Sequence, residues 1–230
     1  FDITKCQMPN FVISRCRDYK LLREFEIRGI RVFNSSLICE IGNDKWKMYK
    51  YFKARSVPIV HTSFCTNENL IKTYDQLEDD TVIKSVCGHG GKQVFLKKMN
   101  SKEKVMEQLL GEDVVLQPYF ENGTSDIRVY ILNNKILCAV QRESNEGFRS
   151  NFSLGGSISL YNIPYSLELF VQRLCMYVSF DFVGLDFFYN KEKGFLLNEV
   201  EDVVGTRMLY KLTVLNIVKL YLQHCLNHRR

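Results

Sequence analysis

Apolar positions recur along this chain with two different periods. From Phe11 to His61 strand-like and helix-like spacings alternate. "FVIS" (11–14) reads as a short strand, the amphipathic run from Asp18 to Arg28 reads as a helix closed by Gly29, and "IRVF" (30–33) reads as a second strand. A helix over 44–55 and a short strand near Pro58 to His61 complete a βαβα rhythm, which predicts a small α/β unit. Past residue 62 the pattern shifts towards antiparallel strands, predicted at 81–86, 93–97, 114–119, 127–132 and 136–142, with a helix at 101–110. "LNNK" (132–135) marks a hairpin between two of them. The remainder predicts a helix at 166–178, strands at 182–189 and 195–201, and a closing helix over 209–226.

Composition narrows the class without naming the chemistry. With 230 residues, 46% hydrophobic and 25% charged, the chain can bury a sizeable core. No run approaches the roughly 18–20 apolar residues of a membrane span, so no membrane partner is expected. The sequence starts at Phe1 with no Met and no signal-peptide pattern, which predicts a cytoplasmic protein whose N-terminal piece is absent. Eight cysteines (6, 16, 39, 65, 87, 138, 175 and 225) are scattered singly, with no metal or redox spacing, and read as reduced, buried thiols. A net charge of +5 suits an anionic substrate such as a nucleotide. Acids are interspersed with the bases, and the locally basic stretches 95–104 and 228–230 read as solvated faces, so nucleic acid is a minor reading. A homo-oligomer stays open.

The last two strands carry the first candidate chemistry. "VGLDFFY" (183–189) and "GFLLNEVE" (194–201) flank the turn "NKEKG", and pairing them places Asp186 roughly opposite Glu199. Alternation puts Glu201 on the same face, with Asp202 turned away or in the loop. Three carboxylates on one apolar sheet repel and cost desolvation, so something cationic must compensate. A hard divalent metal suits oxygen ligands best; pairing with Lys or Arg at an exposed sheet end is the alternative.

Upstream, "VIKSVCGHGGKQVFL" (82–96) is strand, glycine-rich turn, strand. Gly88, Gly90 and Gly91 offer backbone N–H groups without side-chain bulk, and Lys84, inside an apolar run, needs an anion. No Gly-Lys-Ser/Thr opens a helix, which disfavours P-loop chemistry. A third cluster joins Asp126 and Arg128 at the start of one strand, Arg142 at the end of another, and Arg149, Ser150 and Asn151 in a polar loop. Its arginines fit a clamp on a transferring phosphoryl group, or surface pairs with Glu143 and Glu146.

With those residues in hand, the order of parts resembles the ATP-grasp superfamily, specifically its RimK-type carboxylate–amine ligases of the alpha-L-glutamate ligase kind. The resemblance is carried by "DIRVYIL…QRESNEGFRSNFSLGG" and "VGLDFF…LLNEVEDVVG", and extends to "NDKW" (43–46) and "VIKSVCGHGG", so it covers roughly Phe11 to the C-terminus. It implies an α+β protein with an ATP-grasp fold, two α+β lobes clamping ATP, over residues 62–230, with lobes at 62–119 and 120–230. Residues 1–61 would be an incomplete α/β pre-ATP-grasp unit, with Phe1 falling inside it. Lys45 and Lys84 would reach the ATP phosphates beneath the flap of Gly88, Gly90 and Gly91. "LQPYF" (116–120) would be the hinge, where backbone atoms of Gln117 and Tyr119, flanking Pro118, read the adenine edge. Asp126, Arg149, Ser150 and Asn151 would contact nucleotide. Asp186, Glu199 and Glu201 would hold Mg²⁺, or Mn²⁺ in its place.

The implied reaction moves the γ-phosphoryl of ATP to a carboxylate and lets an amine displace phosphate, with Arg142 and Arg149 stabilising charge at the acyl centre. The acceptor would be an amino acid, a peptide or a small molecule, and glutamate is one candidate for addition. Two departures stand out: Glu201 replaces the Asn usual in this family, and "DVVGTRM" replaces its Ser-Pro-Gly turn, which leaves the acceptor pocket undetermined and brings Arg207 near it. A catalytically altered ATP-binding module and a phosphotransferase on the same fold are the alternatives.

Overall fold

In the computed structural model, the described residues are 7–120, 125–143 and 156–229. The N-terminal unit forms where its caps predict. Asp18 accepts from the Lys20 and Leu21 amides to start α1 (Tyr19–Ile27), and Gly29, at φ +75°, turns the chain out of it. Strands β1 (Phe11–Ile13) and β2 (Arg31–Phe33) pair in parallel. Two helices follow: α2 (Ser36–Gly42), capped by Ser35 and absent from the sequence reading, and α3 (Lys45–Lys53), capped by Asp44. The strand expected near 58–61 is not part of this unit. Leu197 donates to the Pro58 carbonyl (3.0 Å) and accepts from the Val60 amide (2.9 Å), so the segment is held by β11 (Gly194–Glu201) instead.

Two antiparallel sheets follow. The four-stranded sheet runs in the order β3 (Ser63–Cys65), β6 (Val114–Pro118), β4 (Thr81–Ser85), β5 (Val94–Leu96). Helices α4 (Asn67–Thr73) and α5 (Lys102–Leu109) bury Leu70, Val105 and Leu109 against Ile83, Phe95 and Val114. In the five-stranded sheet, β11 is followed by β10 (Phe182–Asn190), β7 (Ser125–Leu132), β8 (Lys135–Glu143) and β9 (Ser157–Tyr161). The predicted 132–135 hairpin closes through Asn133 and Asn134, both at positive φ, as a two-residue turn of this hand requires.

The five-stranded sheet uses its two faces differently. Ile127, Val129 and Ile131 alternate with Asp126, Arg128 and Tyr130 along β7. The first set, with Val183, Leu185 and Phe187, packs beneath α6 (Tyr165–Tyr177) and takes in Ile38, Met48 and Phe52 of α2 and α3. Those two helices therefore share the core of the large sheet, while Leu22, Val32 and Cys39 form a small cluster of their own. On the opposite face, Tyr130, Leu132 and Phe182 are covered by α7 (Arg207–Leu212) and α8 (Ile217–Asn227). The single closing helix expected over 209–226 is thus two, because Thr213 is extended and Asn216 caps a new start, accepting from the Lys219 amide.

The described cysteines are free thiols, with Cys39 and Cys225 buried. Cys16 and Cys87 are exposed, against the expectation of buried thiols, because each lies in a turn. Among the described residues no helix is long and apolar enough to cross a membrane.

Candidate functional site

A cavity of about 320 Å³ is lined by both sheets and by the N-terminal unit. Its charged floor is the outer part of the five-stranded sheet. Register sets the floor: Asp126 lies opposite Arg142, Arg128 opposite Asp186, and Asp186 opposite Glu199, as the sequence pairing anticipates. Between Leu197 and Glu199 the register slips by one, leaving Asn198 as an extra residue opposite the Asp186–Phe187 step. Through this bulge Leu197 and Val200 stay in the core, while Asn198, Glu199 and Glu201 all line the cavity. Gly184 makes room for the network: a Cβ there would stand 2.8 Å from Val204 Cγ2 and 3.3 Å from Arg128 Cδ.

The floor is a chain of ion pairs. Arg128 donates from Nε and Nη2 to both oxygens of Asp186 (2.7 Å each) and from Nη1 to Glu201 (2.8 Å). Arg142 takes both oxygens of Asp126 and donates from Nη2 to Asp186 (2.8 Å). Arg128, Arg142, Asp126 and Asp186 are all buried, so each charge depends on its neighbours. Burial pushes the Asp186 carboxyl up, but the two arginines outweigh it and hold its pKa down to about 2. Glu201 moves the other way: burial wins, and its pKa is raised despite Arg128.

The four-stranded sheet supplies the roof. Lys84, on β4, donates to Asn198 Oδ1 at 3.2 Å. Burial pulls its amine down to about 8, with Glu199 opposing that loss of charge and Lys45 adding to it. Lys45, in the first turn of α3, reaches Glu199 at 3.1 Å and donates to the Gly88 carbonyl at 2.6 Å, tying the glycine turn to the acidic floor. Gly90 and Gly91 have φ of +66° and +71°, a conformation that favours glycine. His89, between Gly88 and Gly90, is held down to about 4, first by burial and then by the positive charges of Arg17 and Lys45.

At one end the cavity is apolar, lined by Val82, Val94 and the pair Phe120–Phe188, whose ring centroids are 5.6 Å apart. Gln117, Pro118 and Tyr119 border it. The Gln117 side chain is taken up by Thr62 (2.9 Å), and the Tyr119 amide donates to the Asp80 carbonyl (2.8 Å).

Asp186, Glu199 and Glu201 each bring one oxygen within 4.8 Å of the others. Three hard oxygen donors fit Mg²⁺, which would share them with Arg128, Arg142 and Lys45. The structure thus gathers Lys45, Lys84, Gly88, Gly90, Gly91, Gln117, Pro118, Tyr119, Asp126, Arg142 and the three acids around one cavity. Arg149, Ser150 and Asn151 lie outside the described residues. Arg142 pairs with Asp126 and Asp186, against the alternative of a surface pair with Glu143. Asp202 also lines the cavity instead of turning away, while its carboxylate accepts from Asn34 (2.9 Å).

Sequence reasoning placed Arg128 in the third cluster but gave it no defined role, although its two-residue spacing from Asp126 puts both on one strand face. It missed Asn198, hidden by the bulge, and Phe188, Arg17 and His89, which only the tertiary arrangement brings to the cavity.

Comparison with known proteins gives a consistent family signal. The model of the RimK-like ATP-grasp domain matches residues 42–224. The chain is 27% identical over 221 residues to the uncharacterized protein MG011 of Mycoplasma genitalium, covering 95% of this chain and 75% of that one. It is 28% identical over 211 residues to a probable alpha-L-glutamate ligase of Stutzerimonas stutzeri, covering 89% and 70%. Among solved structures it is similar to the ATP-grasp ligase PsnB complexed with a phosphomimetic variant of a minimal precursor, Mg and ADP. That match has a TM-score of 0.65 at 16% identity and covers 92% of this chain and 66% of that one, so it is a likeness of fold.

Proposed function

This chain belongs to the RimK-like ATP-grasp family and has the ATP-grasp fold, and from that premise we propose that it is an ATP-dependent ligase joining a carboxylate to an amine. The observation that carries the reading is the cavity itself, where two lysines and a glycine turn oppose three carboxylates that sit together beside two buried arginines.

On this reading ATP lies with its base at the apolar Phe120–Phe188 end and its phosphates between Lys45, Lys84 and the glycine turn. Asp186, Glu199 and Glu201 hold Mg²⁺, which when bound supplies neutralisation of phosphate charge. Lys84 is poised for the phosphates because burial makes its charge costly until an anion arrives. The γ-phosphoryl passes to the substrate carboxylate, giving an acylphosphate and ADP. The amine then attacks the acyl carbon, phosphate leaves with the bonding pair, and the amine gives up a proton as the amide forms. Arg142, held rigidly by Asp126 and Asp186, keeps positive charge beside the reacting groups. The named relative in Stutzerimonas stutzeri makes L-glutamate the first substrate to try.

The test has two stages. Thermal shifts with ATP, AMP and adenosine, each with and without Mg²⁺, should show stabilisation that needs Mg²⁺ and fades from ATP to adenosine. ADP and inorganic phosphate should then appear in equal amounts when L-glutamate is supplied with an amine or peptide acceptor. Glu199→Gln should keep the fold and abolish that turnover. A stable phosphorylated product would favour a phosphotransferase instead, and Mg²⁺-dependent ATP binding without turnover across an acid and amine panel would favour a binding module.

A further inference from the structure

The net charge of the chain resides in its C-terminal segment. From Val203 onward it carries Arg207, Lys211, Lys219, Arg229 and Arg230 and no Asp or Glu, so the +5 of the whole chain equals that of this segment. Helices α7 and α8 fold the segment into a layer, burying Met208, Leu209 and Ile217 against the five-stranded sheet. The face they turn outward is also apolar. Val218, Leu222 and Leu226 recur every fourth residue along α8 and are 59%, 44% and 50% exposed. Val214, in the connection between the helices, is fully exposed, and Tyr210 of α7 is half exposed. Lys219 and Arg229 are exposed on the same helix and just past its end.

We infer that this basic face of α7 and α8 docks on an anionic lipid surface, with α8 lying in the plane of the headgroups. Charge complementarity selects the occupant. A second copy of the chain packed here about a two-fold axis would set Lys219 and Arg229 against bases alone, since the segment offers no carboxylate to answer them. An acidic helix or peptide is recognised by a groove, whereas here the apolar side chains stand out from the surface. The cavity between the two sheets is lined by residues outside these two helices. A lipid surface demands no matching shape. It takes Val and Leu between its headgroups, accommodates a tyrosine ring at the boundary, and rewards each nearby base by about fivefold in binding. The association is peripheral, in keeping with the lack of a membrane-spanning helix among the described residues, and it revises the expectation of no membrane partner. It does not depend on the ligase reading.

The experiment is co-sedimentation of the full chain with vesicles of phosphatidylcholine, with and without phosphatidylglycerol, at low and high salt. The expected result is binding to the phosphatidylglycerol vesicles alone, weakened by salt. Lys219→Glu should weaken it at least fivefold and Leu222→Ser should weaken it too, both with an unchanged melting temperature because these side chains are exposed. No binding, equal binding to both vesicles, or binding indifferent to both variants overturns the proposal. Retention by soluble poly-L-glutamate without vesicle binding also overturns it, in favour of an acidic polypeptide partner.

Discussion

The two sheets that line the cavity hold their charges in opposite ways. On the five-stranded sheet each buried charge is already answered: Asp126, Arg142, Asp186, Arg128 and Glu201 form one continuous chain of contacts. On the four-stranded sheet Lys84 has a neutral amide as its hydrogen-bond partner, at 3.2 Å, and its pKa has fallen to about 8. Glu199 attracts it across the cavity but gives its short contact to Lys45. The difference separates framework from receptor. Paired charges fix the geometry of the floor before any ligand arrives, and the under-compensated lysine marks where an anion gains most.

The comparison can be broken most forcefully at Arg128. Arg128→Met should leave Asp186 and Glu201 short of a buried partner and cost about 3–5 kcal/mol of stability, read by urea unfolding. A loss below about 1 kcal/mol would mean that the floor is not a framework. Lys84→Met should behave in the opposite way. The apo protein should lose no stability, because the buried charge is a penalty on the fold, while ATP affinity measured by calorimetry falls about tenfold or more, as expected for a lost charge-assisted contact. Equal losses for ATP and adenosine would point to a damaged fold.

Acidity sharpens the same contrast. Because the folded pKa of Lys84, about 8, lies below its ordinary 10.5, the unfolded chain holds more protons between those values. Its penalty on the fold is therefore full below pH 8 and lifts as pH rises towards 10.5. ATP favours the charged amine, so its affinity should decline over the same range, and Lys84→Met should remove that decline. Smallest of all is Gly90→Ala. Its Cβ would meet nothing within 4 Å, so the expected cost is the left-handed backbone alone, about 1 kcal/mol by thermal unfolding.

How much of this was legible in the sequence depended on whether the signal was local. The turn after Asn190 sets the pairing of β10 with β11, so Asp186 opposite Glu199 followed from strand spacing. Asp18 and Asp44 announced two helices because each satisfies its own helix start. Lys84 stood out as a charge inside an apolar strand. Helix α2 was hidden because it is one short stretch, and its capping Ser35 sits in a run that also reads as a loop. The division of the closing helix was hidden because Thr213 and Asn216 interrupt an otherwise continuous apolar pattern. Arg17 and His89 carry no local signal, since their place at the cavity comes from how separate elements pack.

The extra residue at Asn198 has a further consequence. Before it, the odd-numbered Phe195 and Leu197 point to the core; after it, the even-numbered Val200 does. Asn198 thus acts as a change of phase, and both messages in β11 are written relative to it. Deleting this one residue would close the bulge and leave a regular alternation, with Leu197 still opposite Phe187 and in the core, Glu199 still opposite Asp186 at the cavity, and Val200 again in the core. Such a deletion should keep the fold and the three carboxylates while removing the amide that accepts from Lys84, whereas keeping Asn198 and pairing it as an ordinary residue would turn Glu199 and Glu201 towards the packed helices.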